Sequence, residues 1–158
     1  KKSLKRTPTK KELKIVAAHF GKHYAQSMNS CPLFQCTNII KELRGQVDFL
    51  FMLSLEEKKE VKKIAKHCGV DKYFDEILGG PTSKIKNFNH VIRKHKLKHS
   101  EILYIGDAHS DVVASKKKRI KVVLLGEKHT HEKLREDLEA DFVFSNLCEV
   151  PHSLKKLK

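Results

Sequence analysis

Glu101-Ile-Leu-Tyr-Ile-Gly-Asp-Ala-His-Ser-Asp111 is the stretch on which the fold turns. Its apolar first half, closed by Gly106 and Asp107, reads as a strand buried on both faces, and residues 109–118 read as the helix after it. The same rhythm extends outward in both directions. Downstream come a strand over Ile120–Leu125, a helix over 130–138 and a short strand over Phe142–Phe144. Upstream lie a helix over 84–96, a short strand and turn over Phe74–Gly80, and a helix over 56–68 ended by Gly69. Before these, Val47-Asp-Phe-Leu-Phe-Met-Leu-Ser54 is a near-continuous apolar run and reads as another doubly buried strand. Strand and helix alternating in this way imply parallel pairing with right-handed crossovers. The expected fold class is α/β, a three-layer, Rossmann-like core with a parallel sheet and a helical lead-in.

In the lead-in, Thr9 stands where a helix N-cap would, with Glu12 as its capping-box partner. Leu13, Val16, Ala17, Phe20 and Tyr24 recur at helical spacing, so residues 10–28 read as an amphipathic helix. Asn29-Ser-Cys-Pro32 breaks it, and a second helix over about 35–44 ends near Gly45. The first nine residues are polar and basic and are expected to fray.

The 158 residues fit one domain. No apolar run approaches the roughly 20 residues of a membrane span, and the basic N-terminus has no apolar signal core. The reading is a soluble, cytoplasmic chain with no membrane partner. Net charge is +14, from 33 Lys and Arg against 19 Asp and Glu. Residues 1–14 carry seven Lys/Arg against Glu12, and residues 151–158 carry three lysines, so only +5 remains for the interior. Trp is absent and the Phe and Tyr residues sit mostly in apolar runs, so solvated tails are expected rather than a nucleic-acid site. Cys31, Cys36, Cys68 and Cys148 form no short metal-binding pair and read as reduced thiols. His90, His95 and His99 are interleaved with lysines and read as helix surface.

Open parallel sheets bind ligands at the carboxyl ends of their strands. Ser54, Lys84, Asp107 and Asp111 all fall at such ends. A hydroxyl donates to a phosphoryl oxygen, an ammonium neutralises its charge, and carboxylates hold Mg²⁺. Each residue also has a plainer use. Ser54 could cap a strand end, Lys84 or its neighbour Lys86 could be helix surface, and Asp107 and Asp111 could cap the helix near His109.

Taken together, these residues carry a resemblance. The stretch from Phe49 to about Ser153 resembles the core of haloacid dehalogenase (HAD)-superfamily phosphatases. The matching motifs are Phe-Leu-Phe-Met-Leu-Ser54, Gly69-Val-Asp-Lys-Tyr-Phe-Asp-Glu-Ile77, Lys84 after the Gly-Gly turn, and Ile102 to Asp111. Val122-Val-Leu-Leu-Gly126 and Ala140-Asp-Phe-Val-Phe144 match the closing strands. The resemblance implies that Ser54 orients the transferring phosphoryl group of a phosphorylated small-molecule substrate and that Lys84 offsets the charge of nucleophile and phosphate. It also implies that Asp107 coordinates Mg²⁺ and that Asp111 supports it. His109 is expected at the rim. Leu55, and Ile-Lys-Asn after Lys84, depart from common family choices.

The family's chemistry starts from an Asp-x-Asp motif at the end of its first, central strand. The first Asp attacks phosphorus, and the second serves as acid and base. This sequence contains no Asp-x-Asp, and nothing upstream of residue 47 reads as that strand. Residues 1–30 are expected to be a basic tail and the remnant of a helical cap, and 31–158 the core without its first strand. By itself the chain is expected to be inactive. Three explanations stand open: an N-terminal segment outside these residues, a second chain that completes the sheet, or a non-catalytic relative. The first two predict a Mg²⁺-dependent phosphomonoester hydrolase. The third predicts a module holding RNA or an acidic partner through its basic termini, with salt-sensitive binding.

Overall fold

The computed structural model describes residues 9–15, 38–126 and 140–154. The chain falls into two compact units, Lys1–Leu33 and Phe34–Lys158. In the first, residues 10–15 are helical. The expected cap is present: the Glu12 N–H donates to Thr9 Oγ1 at 3.3 Å, and the Thr9 N–H donates to Glu12 Oε2 at 2.8 Å. The remainder of the helix expected over 10–28, the tail 1–8 and the helix expected over 130–138 lie outside the described residues.

The second unit alternates as the sequence implies. Its elements are α1 (Ile39–Arg44), β1 (Phe51–Glu57), α2 (Lys58–His67), β2 (Glu76–Gly80), α3 (Lys84–His95), β3 (Leu103–Gly106), α4 (His109–Lys117), β4 (Lys121–Leu125), β5 (Phe142–Phe144) and α5 (Val150–Leu154). Every ladder is parallel. Among the described residues the strands form two sheets, β1–β2 and β3–β4–β5.

Side-chain alternation along the strands covers both faces. Met52 of β1 packs with Val61 and Ala65 of α2, whereas the adjacent Leu53 packs on Phe88 of α3. In β4, Val122 and Leu124 meet Val112 of α4, while Val123 joins Leu43 of α1 and Val150 of α5. These are the three layers of a Rossmann-like α/β core.

Two helices bridge the sheets. On one face, Phe88 of α3 touches both Leu53 of β1 and Tyr104 of β3. On the other, α1 contributes Ile40 to the cluster under β1–β2 and Leu43 to the cluster with Ile105 of β3. Between the sheets lies a cavity of about 620 Å³, lined by Leu50 and Met52 on one side and Leu103 and Ile105 on the other. Leu43 and Phe88 line it from the two helical layers.

Four expectations need correction. The first strand starts at Phe51 rather than Val47, because Leu50 is engaged outside the ladder. Its N–H donates to Asp75 Oδ2 at 2.7 Å, and its carbonyl accepts from the Asp75 N–H at 2.8 Å. The strand also runs past Ser54 to Glu57, with its register shifting between Leu53 and Glu57. Of the tail read over 151–158, Pro151 is buried and Leu154 packs on the core, while residues 155–158, with its three lysines, lie outside the described residues. Cys148 is disulfide-bonded, so the reading of four reduced thiols does not hold, although Cys68 is free.

Among the described residues, no helix is long and apolar enough to cross a membrane.

Candidate active site

Lys84 opens α3 because Ser83 caps that helix: its backbone is extended and its hydroxyl accepts from the Lys86 N–H at 3.4 Å. This sets the long Lys84 side chain in the first turn, just beyond the carboxyl end of β2. Asp111 lies in the first turn of α4, beyond the carboxyl end of β3. The two side chains meet in an ion pair, with the Lys84 ammonium donating to Asp111 Oδ1. Lys84 is 14% exposed and Asp111 only 3%, so the pair is shielded from bulk water. Lys86 is exposed, and Lys84 is the lysine that enters the site. The contact also fixes the geometry of the whole edge: the carboxyl ends of both sheets open on the same rim.

Asp111 is held from several sides. Its second oxygen, Oδ2, accepts from the Ala108 N–H at 3.0 Å, so the capping use foreseen for it is real and coexists with the ion pair. Tyr104 lies beside the same carboxylate. Burial first, then the charge of Asp111 and hydrogen bonding toward it, push the Tyr104 ionisation far above its ordinary range, so the phenol stays neutral. Its ring stands edge-on to Phe88, with centroids 5.0 Å apart. Gly106 is required at this point: a Cβ there would come within 2.6 Å of Asp111 Oδ2.

Asp107, by contrast, is exposed at the rim, as are His109 and Ser110. Ser110 accepts a second hydrogen bond from the Lys84 ammonium, at 3.2 Å. Ser54 lies in the irregular part of β1, where its Oγ accepts from the Glu56 N–H at 3.1 Å. A Cβ on Gly79 would fall 2.6 Å from the Glu56 carbonyl oxygen, and one on Gly80 would strike that of Leu55. The Gly-Gly end of β2 therefore lets the Ser54 loop lie flush against it.

Sequence reasoning missed two members of this cluster. Tyr104 sits in an apolar strand, where an aromatic hydroxyl cannot be told from core. Ser110 lies inside the quoted motif, but its spacing carries no signal of a lysine partner.

Asp107 offers an exposed carboxylate, and Mg²⁺ characteristically takes one or two carboxylates together with waters and phosphate oxygens. The donor set fits part of such a site. Among the described residues, no three His, Cys, Asp or Glu side chains converge to hold a metal by themselves.

A parallel α/β core with a lysine–aspartate pair and a Gly-Asp turn on its carboxyl rim defines a class. The profile of haloacid dehalogenase-like hydrolases matches residues 1–125, and the chain belongs to that family. Among individual proteins, it is 28% identical over 138 residues to a phosphoglycolate phosphatase of Vibrio parahaemolyticus, covering 83% of this chain and 60% of that relative. It is 26% identical over 116 residues to a phosphoglycolate phosphatase of Vibrio vulnificus, covering 70% and 51% respectively. The chain thus spans between half and three-fifths of the curated relatives it matches. Of the solved structures, a predicted phosphoglycolate phosphatase from Haemophilus somnus superposes with a TM-score of 0.77 at 21% identity, covering 97% of this chain and 70% of that one. A haloacid dehalogenase-like hydrolase from Streptococcus pneumoniae gives 0.78 at 19% identity, covering 92% and 71%. These structural likenesses concern the fold.

Proposed function

We propose that the complete protein is a Mg²⁺-dependent phosphomonoester hydrolase acting on a small phosphorylated molecule, for which phosphoglycolate is the first candidate. The observation that supports this most is the shielded Lys84–Asp111 pair on the carboxyl rim, with Ser54 and Asp107 on the same edge. Lys84 would offset the charge that builds on the phosphoryl oxygens, and Asp111, Ser110 and Tyr104 would hold its ammonium in place. Ser54 would donate its hydroxyl to a phosphoryl oxygen. Asp107 would hold Mg²⁺; the bound ion would polarise the phosphate and neutralise its charge. The nucleophile would be a carboxylate supplied from outside residues 1–158, since no Asp-x-Asp occurs within them.

The test is release of inorganic phosphate from phosphoglycolate and from an aryl phosphate by the protein completed with that carboxylate. Chelation of divalent ions and Asp107→Asn should each abolish turnover, and Lys84→Met should lower kcat/KM by about 10²–10³. Turnover that survives both Lys84→Met and chelation would refute the reading.

A further inference from the structure

The outer edge of β2 is open, and a row of lysines runs beside it. Among the described residues β2 pairs only with β1, so its other flank has no strand. The Asp75 N–H donates to the Leu50 carbonyl at 2.8 Å, which points the Asp75 backbone toward the β1 side. Backbone direction alternates along a strand, so Glu76 and Leu78 turn their N–H and C=O groups to the open flank. A groove of about 420 Å³ follows this flank, lined by Phe74 and Ile77 and by Lys58, Lys62 and Lys66 of α2. The three lysines are exposed, and among the described residues none of them forms an ion pair. Two nearby carboxylates are engaged elsewhere: Asp75 with Arg44 and the Leu50 N–H, and Glu76 with His90, Lys94 and His95 of α3.

We propose that this edge and its lysine row form a docking groove for an extended, acidic segment of a partner protein. The segment would add a strand to β2, exchanging hydrogen bonds with Glu76 and Leu78, and would set an acidic side chain on the lysines at every second position. The spacings agree. Residues four apart on a helix rise about 6 Å, and residues two apart on a strand about 6.6 Å, so alternate carboxylates meet Lys58, Lys62 and Lys66 in turn. Lysines beside an open edge discourage indiscriminate strand pairing, and an acidic strand is the one that gains from them. A nucleic acid could lay phosphates on the row but would leave the Glu76 and Leu78 backbone unpaired. For stacking it would find only Phe74, which is itself packed on the core. A second copy joined edge to edge would bring two lysine rows to one seam. None of the groove residues belongs to the rim cluster around Lys84, so docking there does not depend on the phosphatase reading.

The experiment uses the complete protein and three labelled synthetic peptides. The first, Ser-Glu-Val-Glu-Thr-Glu-Val-Ser, alternates its charges. The second has Gln in place of every Glu. The third, Ser-Glu-Glu-Glu-Val-Thr-Val-Ser, keeps the composition and groups the charges. Fluorescence anisotropy reads affinity, and amide hydrogen exchange reads the place of binding. The alternating peptide should bind, and the other two should bind about tenfold more weakly or worse. It should slow exchange at Glu76 and Leu78 and leave Ile77, whose backbone faces β1, unchanged. Substituting Lys58→Gln, Lys62→Gln and Lys66→Gln together should weaken the alternating peptide about tenfold. Should that variant fold poorly, raising salt from about 0.05 to 0.5 M with the unaltered protein reads the same term, and the gap between the Glu and Gln peptides should close.

Equal binding by the grouped and alternating peptides overturns the groove, because it reduces the lysine row to general charge attraction. Failure of the alternating peptide to bind overturns it too, as does binding that leaves exchange at Glu76 and Leu78 untouched or that ignores the lysine substitutions and salt. A single-stranded oligonucleotide that displaces the peptide from the unaltered protein, and not from the lysine variant, would make nucleic acid the occupant instead. A free protein that is already dimeric, with Glu76 and Leu78 protected, would make it a second copy.

Discussion

Lys84 and Asp111 are worth more to each other than to the fold. Each is a charge held largely away from water, and each is satisfied mainly by the other. Removing one partner of such a pair leaves an uncompensated buried charge, at a cost of about 3–5 kcal/mol. Replacing both by neutral groups removes the problem together with the bond. Lys84→Met and Asp111→Asn should therefore each lower the urea unfolding free energy by several kcal/mol, while the double variant loses far less than their sum. Asp111→Asn should be the milder single change, because the amide oxygen can still accept from Ala108 and Tyr104. Additive losses in the double-mutant cycle would show that the two residues act separately.

The α3 helix carries that lysine at one end and a second polar cluster at the other. In its last turns His90, Lys94 and His95 all reach Glu76, at the start of β2, at 3.1, 2.9 and 2.8 Å. His95 also packs against the stacked rings of Phe49 and Phe51, with centroids at 4.6 and 4.9 Å. The helix is thus pinned at the rim by Asp111 and at the base by Glu76, which holds Lys84 at a fixed height. Burial pushes the Glu76 pKa up, but the hydrogen bonds from His95, Lys94 and His90 outweigh it and lower the pKa from 4.5 to about 2. A carboxyl depressed in the folded state stabilises the fold above its ordinary pKa, and that contribution fades as pH falls toward the depressed value. The stability gap between the wild type and Glu76→Gln should therefore shrink as pH falls between about 4.5 and 2, followed by urea midpoints. A gap unchanged to pH 2 would mean that the cluster is not what holds Glu76 ionised. Sequence reading missed this cluster for a physical reason. His90 and His95 are spaced among lysines like an outward helix face, and only the parallel crossover brings that face over β2. The rim cluster was legible because the same topology gathers every strand's carboxyl end, so Gly106-Asp107 and Lys84 could be placed without coordinates. The position of Ser54 was only half legible, since the register shift after Leu53 arises from backbone packing against Gly79 and Gly80.

At the scale of the whole molecule, the sequence shows no strand-like run before residue 47, and among the described residues β1 and β3 are not paired with each other. The sequence could not show that α1 and α3 would keep the gap open. A packed interior loses about 24 cal/mol for each Å³ of cavity, so 620 Å³ left dry would cost on the order of 15 kcal/mol, the upper end of a domain's whole stability. Water entering the open cavity lowers that figure but leaves apolar walls and two strand edges wet. The 158 residues alone should therefore unfold at low temperature. Differential scanning fluorimetry of residues 1–158 reads this directly. A Tm already in the range of ordinary domains, about 45–65 °C, would mean that the two sheets close on each other in solution.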